Sequence, residues 1–252
     1  MARYFTCGAL ALILVVCYAD ALKLPSYIKA CKRDDPKLNE CALKNGREAV
    51  SRFVNGDRKY KIPNLNPLTL YNFGVDSGSS SVGIKLTFKE AQIHGLGEVD
   101  IRATKLDLEK KHIEFDLFWD VFYILGDYEI SGRVLVLPIT GKGPANITVT
   151  NLVVTFGFDY ELVPKKKAGK EYVSLTSSNV KFEVGRAYFD LKNLFNGDRL
   201  LGDNMNQFLN ENWREVTKEL GPSLADSIGA VIRQIIQQIV DVVPYDNIFL
   251  AN

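Results

Sequence analysis

Histidine is scarce, with two residues in the whole chain, His94 and His112. Neither has a sequence neighbour that would make a base–nucleophile pair, so both read as structural or surface side chains. The chain also lacks a G-x-S-x-G elbow, a Walker-type phosphate loop, a complete G-x-G-x-x-G and an H-E-x-x-H. Asp76-Ser77-Gly78 has the form of an aspartic-protease triplet, but that chemistry needs a second carboxylate and no second copy exists. "DSGSSS" and Gly141-Lys142-Gly143-Pro144 read more simply as turns. The 30 acidic residues leave room for a hidden carboxylate pair, yet a non-enzymatic protein is the expectation.

An excess of charge of either sign is also missing. Lys and Arg number 31 against 30 acids, and the net charge of +1 argues against a nucleic-acid partner. Lys165-Lys166-Lys167, with Lys170 behind it, follows Pro164 and reads as a solvated loop.

Cysteine is sparse, and its positions matter more than the count of four. Cys7 and Cys17 sit in an N-terminal segment where Arg3 precedes an apolar run from Gly8 to Cys17, followed by Ala19 and Ala21. That order is a secretory signal peptide over 1–21, cleaved after Ala19 or Ala21; a membrane anchor or core segment is the alternative. The run is too short to span a bilayer. About 230 residues then remain, 22–252, enough for one domain. In an oxidising compartment Cys31 and Cys41 read as one disulfide closing a short loop, contributing about 2–3 kcal/mol; two free thiols are the alternative. No metal site is expected, since zinc would need more sulfur or imidazole nearby. Asn146-Ile147-Thr148 is the single glycosylation sequon, inside a strand-like run.

What the chain does have falls into three zones. The first is helical. Asp34-Asp35-Pro36 supplies cap candidates with proline at the first helical position, and Asn55-Gly56 is the stop. From about Leu68 to Leu191 apolar residues alternate, as in Val82, Ile84, Leu86 and Phe88, or Ile113, Phe115, Leu117 and Trp119. The parity flips within several runs: Ile147 and Val149 are odd, whereas Leu152 to Tyr160 are even. One extra residue swaps the apolar face, as a bulge does while bending the strand. Long, curved, bulged antiparallel strands follow, with a flat sandwich as the competing arrangement. No βαβα order is visible.

The third zone is helical again, with Asp203 as N-cap and a break or kink at Gly221-Pro222. A long helix then runs from Ser223 to Val243, about 30 Å at 1.5 Å per residue. Leu224, Ile228, Val231, Ile232, Ile235, Ile239 and Val242 form a wide apolar face. Asp226, Arg233, Gln237 and Asp241 form a polar stripe that disfavours stable membrane insertion. A face so wide needs a concave partner, and the curved sheet can wrap it. The fold class is therefore α+β.

Three stretches in order, "LPSYIKACKRDDPKLNECALKNGREAV", "YEISGRVLVLPITGKGPANITVTNL" and "NLFNGDRLLGDNMNQFLNENWREVTKELGP", together with "VPYDNIF" near the end, closely resemble the insect takeout / juvenile hormone-binding protein family. The resemblance implies a secreted, non-enzymatic carrier without cofactor. It also implies a super-roll of the TULIP-like lipid-binding kind, a sheet around a long helix with an elongated apolar tunnel. Cys31 and Cys41 match the family's N-terminal disulfide. Hormone carriers of the family have a second, later disulfide; here no cysteine follows Cys41, which places the chain nearer the takeout branch.

The expected partner is a hydrophobic small molecule, a terpenoid or fatty-acid-like lipid, bound by a monomer. Candidate tunnel residues are Phe115, Leu117, Phe156, Phe158 and Phe182 on the sheet and Ile228, Ile232, Ile235 and Ile239 on the helix. Trp119 and Phe122 are placed at a mouth, and the Tyr128 hydroxyl is a polar anchor. Two other roles stand beside this one: a ligand-free interaction module, and lipid transfer at membranes through the basic loop at Lys165 to Lys170.

Overall fold

Alternation at period two is sustained far beyond an ordinary strand in this chain, and long strands result. The computed structural model describes residues 22–77, 83–165 and 169–251. Residues 1–21, expected to be a signal peptide and holding Cys7 and Cys17, most of the "DSGSSS" stretch expected to be a turn, Val82 and the Lys166-Lys167 part of the basic run lie outside the described residues. In chain order the elements are β1 (Cys31–Lys32), α1 (Leu38–Phe53), β2 (Leu68–Ser77), β3 (Ile84–His94), β4 (Asp100–Asp107), β5 (His112–Val134) and β6 (Leu137–Lys165). They continue with β7 (Lys170–Leu191), α2 (Arg199–Glu211), α3 (Trp213–Val240), α4 (Tyr245–Ile248) and β8 (Phe249–Leu250). β5, β6 and β7 have 23, 29 and 22 residues, several times the usual five or six.

One antiparallel sheet carries the order β2-β3-β5-β6-β7, with β4 paired to the first part of β5. The flat sandwich is not the arrangement found. α3 packs against both edge strands, β2 and β7, so the curved sheet embraces the helix. β1 and β8 form a short parallel pair that ties the two ends of the domain together, and Arg33 reinforces it by donating to the Phe249 carbonyl and pairing with Asp246. Cys31 and Cys41 form a disulfide between β1 and α1.

The parity flips take two physical forms. In three pairings the register slips by one residue, between Phe88 and Glu90, Ile101 and Ala103, and Asp159 and Tyr160. The second form keeps register. The buried sequence passes from Trp119 to Phe122 on β5, while the paired rows pass from Leu152 to Val149 on β6 and from Val184 to Ala187 on β7. All three strands step together at Asp120, Asn151 and Gly185. Asn151 is left-handed at φ 49°, and a Cβ on Gly185 would stand 2.7 Å from the Asn151 Cβ. This crease bends the sheet without unpairing it.

Helix boundaries correct four expectations. Pro36 precedes α1 rather than opening it; Lys37 takes the N-cap position, and the Asp35 carboxylate accepts from the Lys37 N–H. The chain does turn at Gly56, in the left-handed region at φ 76°. α2 is capped by Asp198, whose carboxylate accepts from the Leu201 N–H, so Asp203 lies inside the helix. Gly221-Pro222 does not break α3, which runs 28 residues through it and ends at Val240 rather than Val243. The break comes earlier, at Asn212, which leaves helical geometry at φ −103° and ψ 28° while its backbone N–H and side-chain amide both donate to the Phe208 carbonyl.

β7 is an edge strand, and its outward N–H and C=O groups need partners. Side chains of α2 and α3 supply them. Asn206 accepts from Leu191 N–H and donates to its carbonyl, both at 2.9 Å. Asn210 does the same for Phe189 at 2.9 and 2.7 Å. On α3, Gln237 accepts from Leu175 N–H at 2.9 Å and Arg233 donates to its carbonyl at 2.7 Å. The polar stripe of the helix is therefore stitched to a strand. Between these ties the helix backbone closes on the sheet: a Cβ on Gly221 would lie 2.4 Å from the Phe182 ring and one on Gly229 2.6 Å from Val180.

Two outcomes follow for stability. Asn210→Ala strips both Phe189 backbone groups of partners and lowers unfolding stability by about 2 kcal/mol in urea titrations, while Gln207→Ala, which loses only an exposed bond to Glu211, stays within about 0.5 kcal/mol. Gly221→Ala destabilises by about 1–3 kcal/mol despite alanine's better helix propensity, and adding Phe182→Leu recovers most of the loss.

Candidate ligand-binding interior

Directly opposed residues on neighbouring strands share a face, so register defines the surface turned toward α3. The contacts of Gly221 with Phe182 and Gly229 with Val180 identify that face. Along it run the rows Leu106–Ile113–Phe158, Thr104–Phe115–Phe156–Val180, Ile101–Leu117–Val154–Phe182 and Trp119–Leu152–Val184. Beyond the crease come Phe122–Val149–Ala187, then Ile93–Ile124–Ile147–Phe189, and further on Phe88–Tyr128–Gly143. All eight sheet residues expected to line a tunnel thus point to one side.

Their surroundings differ. Phe156, Phe158, Ile235 and Ile239 are buried, whereas Phe115, Leu117, Phe182, Ile228 and Ile232 are only half-buried. Leu152, Val180, Leu224, Val231 and Ile236 are half-buried as well. These side chains pack against the buried core, yet each keeps part of its surface uncovered by it. These residues cluster in the rows between Phe115 and Leu152 and along the middle of α3. Leu152 and Val180 belong to this set as well; alternation puts them on the faces of Phe156 and Phe182, and the cross-strand pairing joins those faces.

Two placements bear on the expected roles. Trp119 and Phe122 are no mouth; they are 7% and 6% exposed and pack edge to face, with ring centroids 6.4 Å apart. The Tyr128 hydroxyl already donates to the Lys192 carbonyl at 2.8 Å. Burial pushes its pKa up to about 12, so it stays protonated and occupied, with only its acceptor side left for a ligand.

The opposite face of the sheet is polar. Two clefts there, about 520 and 540 Å³, are lined by Glu90, Asp127, Asp190 and Lys192, and by Lys89, Glu129, Lys142 and Asn193. Neither suits an apolar molecule. Asn146 is exposed in the first cleft, and its side-chain oxygen accepts from the Thr148 hydroxyl at 2.9 Å. His112 finds a partner that sequence did not suggest, the Asp159 carboxylate at 2.7 Å; the Ser177 hydroxyl donates to the other oxygen at 2.6 Å. Those bonds hold the Asp159 carboxyl below the usual range, the serine's contribution first. Serine and imidazole both bond the carboxylate rather than each other, so no nucleophile is activated. His94 stacks on Tyr123 at 4.7 Å. Among the described residues no three His, Cys, Asp or Glu side chains converge to hold a metal, and no helix is long and apolar enough to cross a membrane.

Known proteins share this architecture. A crystal structure of Takeout 1 from Epiphyas postvittana superposes with a TM-score of 0.78 at 31% identity, covering 89% of this chain and 100% of that one. The circadian clock-controlled protein daywake of Drosophila melanogaster is 27% identical over 244 residues, 93% of this chain and 92% of its own length. Its Drosophila yakuba counterpart is 26% identical over 235 residues, 90% and 88% of the two chains. The profile of the haemolymph juvenile hormone binding protein family matches residues 9–250. With nearly its whole length matched and the Takeout 1 fold reproduced, the chain belongs to the haemolymph juvenile hormone binding protein (takeout) family, whose members bind hydrophobic ligands.

Proposed function

We propose that this protein is a secreted, monomeric carrier that holds one elongated, neutral, apolar molecule, such as a terpenoid or fatty acyl ester, between α3 and the sheet. The observation that carries the reading is the set of half-buried apolar side chains on the inner face, under the helix and beside a fully buried core. No inner-face row between Leu106 and Phe189 contains a charged residue. Burying 300–400 Å² of apolar ligand surface gives on the order of 8–10 kcal/mol. Before the several kcal/mol that association costs, that gain corresponds to a dissociation constant of about micromolar to tens of nanomolar, which is the upper bound on the affinity from burial alone. An ionised headgroup inside would be strongly disfavoured, because nothing on these rows pairs with it.

Family membership and a leader with the order of a signal peptide support secretion. The exposure of Asn146 supports its use as a glycosylation acceptor. The placement of the tunnel, the cleavage point and the glycan are all parts of this proposal.

Native mass spectrometry of gently purified protein is expected to show an added lipid mass. A clean apo mass that never shifts with added terpenoids or acyl esters favours the ligand-free interaction module. Ile232→Trp, which fills the interior beside α3, lowers ligand affinity at least about tenfold while the apo thermal midpoint stays within a few degrees. Unchanged affinity in a folded variant would move the ligand elsewhere. Secreted protein from insect cells should lose a glycan mass on treatment with an N-glycosidase, and Asn146→Gln should abolish that shift.

A further inference from the structure

The rows from Phe115 to Leu152, where half-buried apolar side chains gather, contain two polar side chains, and only one has its hydrogen bond. Thr104 donates to the Asn39 carbonyl at 2.8 Å. Trp119, 7% exposed, has its indole N–H buried with no acceptor. Indole nitrogen is a donor only, so water-free burial leaves it one bond short, a deficit that native structures rarely tolerate without a reason. Its place is distinctive. Trp119 is the last inner-face residue of β5 before the crease; Phe122 meets its ring edge-on, Leu152 faces it across the strands, and Leu117 precedes it on the same face. Leu117 and Leu152 are both half-buried.

We propose that the Trp119 indole N–H is the specificity-determining contact of the interior. It donates to a neutral acceptor oxygen, a carbonyl, ester or ether, set within an otherwise apolar chain. This rests on the carrier reading and narrows it: bare hydrocarbons fit the space but leave the donor unsatisfied, whereas a ligand with one acceptor at this depth satisfies it. A pocket built to bond a polar group discriminates against the analogue that lacks it.

The test compares octadecane with methyl palmitate, chains of matched length, by displacement of a fluorescent apolar dye from the mature protein. Wild type binds the ester more tightly. Trp119→Phe weakens ester binding about three- to tenfold and leaves the alkane unchanged, which removes the preference. In proton–nitrogen spectra, with Trp213→Phe to assign the remaining indole, the Trp119 N–H proton moves downfield with ester and not with alkane. Equal loss for both probes, or no loss for either, overturns the contact while the carrier reading survives. If neither probe displaces the dye from wild type, the carrier reading itself fails and takes this contact with it.

Discussion

The unpaired edge of β7 is the constraint on which the arrangement depends. Twenty-two residues of strand leave a row of backbone groups with no neighbouring strand. An exposed edge of that length invites pairing with another chain. Asn206, Asn210, Arg233 and Gln237 act instead as a discontinuous partner strand, presenting amide and guanidinium groups where backbone would otherwise be. Each bond is modest, about 1 kcal/mol net, but leaving its partner buried and unmet costs more. Helix position is thereby set by polar geometry rather than by apolar packing alone.

That anchoring decides what the rest of α3 does. Once Arg233 and Gln237 are turned to the edge of β7, the face bearing Ile228, Ile232, Ile235 and Ile239 must turn into the sheet's concavity. Glycines at 221 and 229 let the backbone come close to Phe182 and Val180 on one flank. The crease at Asn151 and Gly185 sets the curvature independently of what lies inside. A helix held along its polar side and a sheet bent by its own backbone need not collapse on each other. Space between them can persist, where a core held only by apolar contact would close.

Much of the fold was legible because parity is a local signal. The flip from Val149 to Leu152 and the width of the helix face both predicted a bent sheet around a long helix. Legibility failed where a local rule met a tertiary competitor. Pro222 normally ends a helix, yet α3 continues through it while packed on β7 and β2. Asp203 precedes the helix-spaced run from Met205 as a cap would, but Asp198, five residues earlier, is the N-cap. Trp119 and Phe122 carried aromatic rings at strand spacing, and nothing local distinguished a rim from a core; the crease that buries both is a property of three strands at once. Leu152 and Val180 share a face by alternation with Phe156 and Phe182; what no single strand writes is which strands lie side by side and how that face meets α3.

Charge is segregated by this register in a way that bears on function. Rows turned outward alternate Lys105 with Glu114, and Glu90 with Asp127, and those turned inward from Leu106 to Phe189 carry none. An interior meant only as a core would be expected to fill its rows, as Phe156 and Phe158 do. The neighbouring Phe115, Leu117, Leu152 and Phe182 stop short of that, under a helix whose position is fixed elsewhere. Apolar surface left partly uncovered in the folded state forgoes stabilisation of about 25 cal/mol per Å². On the carrier reading proposed above, a bound apolar molecule regains it, and the incompleteness that weakens the empty protein is what gives such a guest its affinity.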